Sequence, residues 1–277
     1  MSTQDMTTDQ ITQWWTTAIS DIHPGVIRLR GYPIQQLVQH ASFTDTIWLM
    51  LRGQMPDPRQ SALLERALVA AVDHGPQAPS IAAARMAATC GVGLNSAVAT
   101  GVGLLGDVHG GAGQQCMRVL ADIRDRVEYS ATSLTDAVAG TLAEIRAAGR
   151  YVPGFGHRFH PRDPRRDPLM ELLADAVHNG VADAAFQEIG LEIERQLAAG
   201  RARPVPMNID GATAIIYSSL GFAPELGRGL FILSRSVGIL AHAWEETQGG
   251  RRIKGPIPPP LLAAYHGAAE RDVATGR

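Results

Sequence analysis

The segment Val205-Pro-Met-Asn-Ile-Asp-Gly211, followed by the apolar run of residues 212–220, decides how this chain folds. An extended, proline-containing stretch meets what the continuous apolar run predicts to be a buried helix. One carboxylate, Asp210, stands where the two meet. Because an unpaired buried charge is costly, this carboxylate must be paired, neutralised or used chemically. Two interpretations fit the segment equally well: Asp210 caps the helix N-terminus, or Asp210 is catalytic.

Composition and charge exclude several classes of protein. The 277 residues are 45% hydrophobic, 19% charged and only 5% aromatic, which favours close helix packing over a β-sandwich. A net charge of −2 without long runs of one sign argues against nucleic acid or an anionic membrane as the main partner. The polar residues 1–13 do not resemble a signal peptide, and no segment has the roughly 18 apolar residues of a membrane span. We therefore expect a cytoplasmic protein.

The two cysteines, Cys90 and Cys116, are too few for a disulfide framework or a cysteine-built metal site. We expect both to be small buried side chains in a reducing compartment.

Periodicity predicts a mostly helical chain. Residues 25–34 alternate apolar and charged side chains and are the best candidate for a strand or hairpin. Helical spacing follows from Ile34, with a stop at Gly53 and a new helix for which Ser61 is a candidate cap. Further helices are predicted over the ranges 134–148, 167–197 with a break at 178–180, and 226–244.

Histidines on glycine- and proline-shaped loops are candidates for chemistry. His109 lies among four glycines just before an amphipathic helix, whose N-terminus disfavours the protonated imidazole. His157 and His160 lie in a loop stiffened by prolines, which is suited to binding or to an exposed basic turn. We expect no metal, because no carboxylate or cysteine set accompanies these histidines. His74 follows a helix, where it compensates the helix dipole or binds a ligand.

An arginine, Arg235, lies within the apolar helix predicted at 226–244. Since its guanidinium stays charged, it needs an anion. A structural carboxylate would serve, and so would a substrate carboxylate, which the arginine fork binds through two hydrogen bonds. Histidines, one carboxylate and two arginines together indicate proton transfer at carbon on a polycarboxylate, hence Claisen or retro-Claisen chemistry. The candidate site comprises His74, His109, His157, Arg165, Asp210 and Arg235.

Four segments resemble the citrate synthase superfamily in order and spacing. They are Gly-Asp-Val-His-Gly-Gly-Ala (106–112), Pro-Gly-Phe-Gly-His (153–157) with Asp-Pro-Arg (163–165), Asn-Ile-Asp (208–210) and Ser-Arg-Ser-Val-Gly (234–238). Within that superfamily the sequence looks most like short citryl-CoA lyase and the lyase module of ATP-citrate lyase.

The resemblance implies an all-α fold in which a large and a small helical domain form a homodimer. The implied domains are an N-terminal extension (1–24), a large domain with the dimer interface (25–155 and 213–277) and a small domain with catalytic loops (156–212). It implies cleavage of citryl-CoA to acetyl-CoA and oxaloacetate. The alternative is a short synthase that condenses an acyl-CoA with oxaloacetate or another 2-oxo acid.

The resemblance also assigns roles by motif. His109, His157 and Asp210 would be catalytic, while His74, Arg165 and Arg235 would bind the carboxylates and hydroxyl of the substrate. Asn208 would contact coenzyme A, whose thioester is the substrate.

Two arginines of the family are absent from this sequence or shifted in it. The arginine that synthases donate from the partner subunit corresponds to Gly255, and Arg251, Arg252 or Lys254 are candidates to replace it. The arginine expected just before the loop at 153–157 is shifted or absent, with Arg150 nearby. The loss of two carboxylate-binding groups favours citryl-CoA cleavage or a different 2-oxo acid.

Overall fold

The computed structural model describes residues 7–156, 161–200, 202–203, 205–258 and 260–273. The fold is helical apart from one small sheet, which confirms the all-α class. The helices are α1 (Thr8–Trp14), α2 (Ile34–His40), α3 (Phe43–Arg52), α4 (Pro58–Ala71), α5 (Pro79–Thr89), α6 (Leu94–Gly103), α7 (Ala112–Tyr129), α8 (Leu134–Ala147), α9 (Arg166–His178), α10 (Ala184–Ala198), α11 (Ile209–Ser219) and α12 (Pro224–Gln248).

The sheet is a three-stranded antiparallel meander near the start of the chain. Its strands are β1 (Ser20–His23), β2 (Val26–Leu29) and β3 (Tyr32–Pro33), in the order β1-β2-β3. Asp21 pairs with Arg28 across the first two strands, and their side chains form an ion pair at 2.8 Å. The alternating pattern over 25–34 therefore predicted β2 and β3 correctly, whereas β1 lies before the predicted range.

The chain divides into two compact units. Unit 1 comprises Met1–Val72 and Gly106–Arg235, and unit 2 comprises Asp73–Leu105 and Ser236–Arg277. These bounds come from packing within the chain, and they differ from the domain edges predicted from the sequence, which stay a prediction.

The core of unit 1 is built around α11. Every residue of this helix except Asp210 is buried, as the apolar run after the opening motif predicts. It packs against α4, α7, α9 and α10. A helix that is apolar all round needs neighbours on every side, so α11 lies at the centre of the unit. Asp210, near the N-terminus, is the one residue of α11 that is not buried and the one that carries a charged group.

The ends of α3 and α4 show one correct and one wrong prediction. Gly53 ends α3 in the left-handed conformation, at φ 85°, as the glycine stop predicts. The cap of α4 is Asp57 rather than Ser61, because Asp57 forms a capping box with Gln60 and Pro58 occupies the first turn. Ser61 is buried inside the helix.

Unit 2 contains α5 and α6, the end of α12 and the C-terminal segment. Glu246 is buried and accepts ion pairs from Arg85 at 2.7 Å and Lys254 at 2.9 Å. Burial would raise the pKa of this carboxyl, but Lys254 and Arg85 together hold it below its usual range. The backbone N–H of Lys254 also donates to the hydroxyl of Thr89. These contacts attach the C-terminal segment to α5 and α12.

The two cysteines differ. Cys116 is buried as expected, whereas Cys90 is exposed at the end of α5, so the expectation of two buried thiols is wrong for Cys90. None of the helices in the described part of the chain combines the length and the apolar character needed to cross a membrane.

Candidate active site

The cap of α11 is Asn208, two residues before Asp210. The Asn208 side-chain oxygen accepts hydrogen bonds from the backbone N–H of Asp210 at 2.9 Å and of Gly211 at 3.2 Å. Its amide nitrogen donates to the carbonyl of Gly156 at 2.7 Å. Both polar atoms of Asn208 are thus engaged within the protein, and the capping function that the sequence left open for Asp210 belongs to Asn208. The predicted contact of Asn208 with coenzyme A stays a prediction.

The loop of residues 153–156 lies directly on this helix N-terminus. Its Phe155 pairs with Met207 as an isolated antiparallel bridge, and the N–H of Asn208 donates to the carbonyl of Gly154 at 3.0 Å. Gly154 has φ +83°, and a Cβ there would lie 2.7 Å from the Cα of Gly211. Only glycine permits so close an approach of two backbones. The close approach fixes the loop beside Asp210.

Asp210 lies at the second position of α11, half-buried among buried neighbours. Burial raises the pKa of its carboxyl, although the charges of Arg235 and Arg165 act in the opposite direction; Asp163 raises it further. Within the described residues its carboxylate has no hydrogen bond or ion pair. A carboxyl in this setting is suited to holding and releasing a proton.

Two other side chains respond to the charge of Asp210. Burial, together with the negative charge of Asp210, raises the pKa of the Cys116 thiol and of the Tyr217 hydroxyl. Both groups are therefore neutral neighbours of the carboxyl. Cys116 is fully buried on α7, and Tyr217 lies on α11 itself.

Arg165 is held by Asp163, which belongs to the motif at 163–165 but was not among the predicted site residues. The carboxylate of Asp163 is fully buried and accepts two parallel hydrogen bonds from Arg165, each at 2.9 Å. It also accepts the backbone N–H of Ile209 at 3.1 Å, which connects the loop to α11. Although burial alone would raise it, the pKa of Asp163 lies at about 2 because Arg165 and these N–H groups stabilise the anion. Asp163 thus orients Arg165 beside Asp210.

Arg235 reaches the same region from α12. Its Nε donates to the carbonyl of Ala71 at 3.0 Å, and its guanidinium lies 4.7 Å from the centre of the Phe231 ring. Arg165 donates to the neighbouring carbonyl of Ala70 at 3.3 Å. The last carbonyls of α4 carry partial negative charge, which stabilises cations placed there. Both predicted carboxylate-binding arginines therefore lie at the C-terminal end of α4.

His109 lies in the turn that precedes α7. It is half-buried, and burial lowers the pKa of its imidazole, with a further contribution from the positive charge of Arg235. The neutral form predicted from the helix N-terminus is thus favoured, and these two causes account for it. Arg235 therefore influences both His109 and Asp210.

Four of the six predicted site residues lie in unit 1: His109, Arg165, Asp210 and Arg235. The charge of Arg235 lowers the pKa of both His109 and Asp210, and the charge of Arg165 also lowers that of Asp210. His74 belongs to unit 2, where it is exposed just after the end of α4. His157 lies outside the described residues. Lys254, a candidate replacement for the missing arginine, is engaged with Glu246 in unit 2.

Three comparisons place these features in a family. The family model for the citrate synthase C-terminal domain matches residues 10–63 and 50–256. The chain therefore belongs to the citrate synthase family, as the motifs predict.

Among solved structures, a citryl-CoA lyase from Hydrogenobacter thermophilus is similar with a TM-score of 0.82 and 32% identity, over 94% of this chain and 97% of that one. An ATP citrate lyase from Methanothrix soehngenii shares the fold with a TM-score of 0.76 and 20% identity, over 92% of this chain and 42% of that one. A citrate synthase from Haloferax volcanii is 31% identical over 74% of this chain and 52% of its own length. The chain spans about half the length of the curated relatives that it matches.

Proposed function

We propose that this protein is a CoA-dependent carbon–carbon lyase that cleaves citryl-CoA to acetyl-CoA and oxaloacetate. The observation that carries the proposal is the setting of Asp210: a carboxyl of raised pKa beside two arginines at the N-terminus of a buried helix. A carboxyl whose protonated form is favoured can deliver a proton to carbon, and the arginines suit a substrate with several carboxylates.

The proposed reaction assigns one proton transfer to each end of the bond that breaks. His157 accepts the proton of the tertiary hydroxyl, whose oxygen becomes the keto oxygen of oxaloacetate. The electron pair of the broken carbon–carbon bond forms the enolate of the acetyl thioester. The neutral imidazole of His109 donates a hydrogen bond to the enolate oxygen, and protonated Asp210 gives its proton to the enolate carbon, which yields acetyl-CoA.

Substrate binding falls to the cationic side chains in this proposal. Arg165 and Arg235 bind carboxylates of the citryl group, and His74 binds a carboxylate or the hydroxyl. Asn208 contacts the coenzyme A portion. Arg165 is well placed for such work, because Asp163 and the α4 carbonyls fix its guanidinium before a substrate arrives.

A homodimer and its domain arrangement belong to the same proposal. We expect two copies of the chain to associate through the large domain predicted at 25–155 and 213–277, with residues 156–212 as the smaller domain. Sedimentation equilibrium at several protein concentrations would test the dimer, and a monomer at all concentrations would contradict it.

The alternative function is synthesis, in which an acyl-CoA condenses with oxaloacetate or another 2-oxo acid and the thioester is then hydrolysed. Citrate synthases among the similar sequences support it. The same three catalytic groups would work in reverse, so the proton chemistry does not separate the two directions.

A pair of assays separates them. The purified protein is incubated with citryl-CoA, and oxaloacetate is followed by its reduction with malate dehydrogenase and NADH. In parallel it is incubated with acetyl-CoA and oxaloacetate, and free CoA is followed with a thiol reagent. Oxaloacetate release in the first assay without free CoA in the second supports the lyase. Free CoA in the second assay supports the synthase and contradicts the lyase.

A further inference from the structure

Two ion pairs connect the beginning of α12 to α7 and the turn before it, and only one of them touches the His109 turn. Arg228 pairs with Asp107, which is two residues before His109. Arg118 pairs with Glu225 at 3.8 Å, with both side chains mostly exposed. The two pairs lie in the same unit and involve the same helix, so they form a natural comparison.

The turn that carries His109 is held at Asp107 from two directions. Arg228 donates to the Asp107 carboxylate, and Gln115 on α7 donates to the Asp107 carbonyl at 3.0 Å. The turn is also tightly closed, because a Cβ at Gly111 would lie 2.7 Å from the same carbonyl. Asp107 is therefore the fixed point from which the short segment to His109 extends.

Arg228 is itself largely buried for an arginine. Its side chain is 27% exposed, against 58% for Arg118, and its Nε is enclosed with no hydrogen-bond partner among the described residues. Close packing holds its helix against α7 at the preceding residue, where a Cβ on Gly227 would lie 2.6 Å from the sulfur of Met117. The Asp107 side chain is 79% exposed, so the enclosed guanidinium of Arg228, and not burial of the whole pair, distinguishes this contact from Arg118–Glu225. An enclosed guanidinium has fewer orientations than an exposed one and holds its partner more firmly.

Arg228 and Arg235 are seven residues apart on α12 and so lie on the same helix face. Arg235 contributes to the lowered pKa of His109, while Arg228 binds the turn on which His109 is carried. One face of α12 thus affects His109 in two ways: the charge of Arg235 lowers the pKa of the imidazole, and Arg228 holds the backbone of the turn.

We propose that Arg228 is a positioning residue for the reaction: through Asp107 it fixes the turn that aims His109 at the thioester oxygen. This inference rests on the proposed function for its kinetic consequence, and on the ion pair itself for its structural one. A hydrogen bond to a developing oxyanion is sensitive to displacements of less than an ångström, so a loosened turn lowers kcat more than it weakens substrate binding.

The kinetic test compares Arg228→Met and Arg228→Lys with the matched exposed pair, Arg118→Met and Glu225→Gln. We expect Arg228→Met to lower kcat about tenfold or more with KM for citryl-CoA changed less than about threefold. Arg228→Lys should restore most of kcat, and the two control variants should stay within about twofold of the wild type. Equal losses in the control variants, no loss in Arg228→Met, or no rescue by lysine would overturn the proposal.

A second measurement separates this inference from the proposed function. The imidazole of His109 is titrated by NMR in the ligand-free wild type, in Arg228→Met and in Glu225→Gln, with His109→Gln for assignment. A changed pKa or chemical shift of His109 in Arg228→Met alone supports the positioning role, even where no lyase activity is found. Identical His109 titrations in all three proteins would overturn it, whereas absent cleavage by the wild type contradicts only the proposed function.

Discussion

Two carboxylates at the N-terminal end of α11 have opposite environments. Asp163 is fully buried yet strongly acidic, with a pKa of about 2, because Arg165 and backbone N–H groups surround it. Asp210 is less enclosed as a residue, but its pKa is raised because burial is not matched by a hydrogen-bonded partner in the described structure. Burial alone therefore does not determine the behaviour of a carboxyl group; the donors that reach it do. When their environments shift the pKa values of two carboxyl groups in opposite directions, the more acidic group is suited to a structural role and the less acidic one to proton transfer.

The strongest test of this contrast is Asp210→Asn. Removing the proton donor should lower kcat by about 10³-fold, the upper part of the usual contribution of a general acid. Because the change also removes a poorly solvated carboxylate, the fold should become more stable at pH 7, with Tm higher by about 2–4 °C. Asp175→Asn, an exposed position on α9, is the control and should change neither quantity. Substantial activity in Asp210→Asn would exclude Asp210 from catalysis.

The opposite result is expected for Asp163→Asn. This substitution leaves Arg165 without its buried anion, which should cost about 3 kcal/mol of unfolding free energy, measured by urea denaturation. Activity should fall as well, since Arg165 loses its orientation. Asp21→Asn, whose carboxylate forms an exposed ion pair with Arg28, should cost less than about 1 kcal/mol. Equal losses of stability in the two variants would show that the buried setting of Asp163 adds nothing to its contribution.

The close approach of Gly154 to Gly211 holds the loop of residues 153–156 next to Asp210. Asp163 is not part of this contact. Gly154→Ala would place a methyl group against the Cα of Gly211 and the sulfur of Cys116, so we expect a loss of about 2 kcal/mol and reduced activity. Gly180→Ala has a similar φ of +69° with open space around it and is the matched control. It should cost about 1 kcal/mol from backbone strain alone, with activity retained. Equal effects on both quantities would show that the close contact is unimportant.

The smallest expected effect is the pH dependence of stability, where the two carboxylates have opposite signs. Asp163, with its lowered pKa, contributes stability that is present above about pH 4 and is lost as the pH falls toward 2. Asp210, with its raised pKa, destabilises the fold progressively above about pH 4 and fully above its folded pKa. The stability gained in Asp210→Asn at neutral pH should therefore vanish near pH 4. A gain that is independent of pH would contradict the raised pKa.

Much of this arrangement could be predicted from the sequence because it depends on local signals. The apolar run after Gly211 predicts a buried helix, and the alternating residues 25–34 predict the second and third strands of the small sheet, both as observed. The sequence left open whether Asp210 caps this helix or is catalytic, and it did not identify Asn208 as the cap, because the side chains of both residues can accept N–H groups at a helix N-terminus.

The rest depends on contacts between distant residues. The motif Asp-Pro-Arg at 163–165 marks Arg165, but the importance of Asp163 appears only with its hydrogen bond from Ile209, 46 residues later. Arg228 carries no motif at all; its partner Asp107 lies 121 residues earlier. Cys90 was expected to be buried on the average behaviour of cysteine, which says nothing about a residue that follows a helix end.

The last turn of α4 has a consequence for how this protein acquires its activity. Its carbonyls accept hydrogen bonds from the side chains of Ser234, Arg165 and Arg235. These donors lie 166, 95 and 164 positions along the chain from their acceptors. Helices form from neighbouring residues within microseconds, whereas contacts of such long range must await the collapse of the whole unit. After dilution from denaturant, helical circular dichroism should therefore return before enzymatic turnover does. Chains caught between the two stages would be helical and compact but inactive.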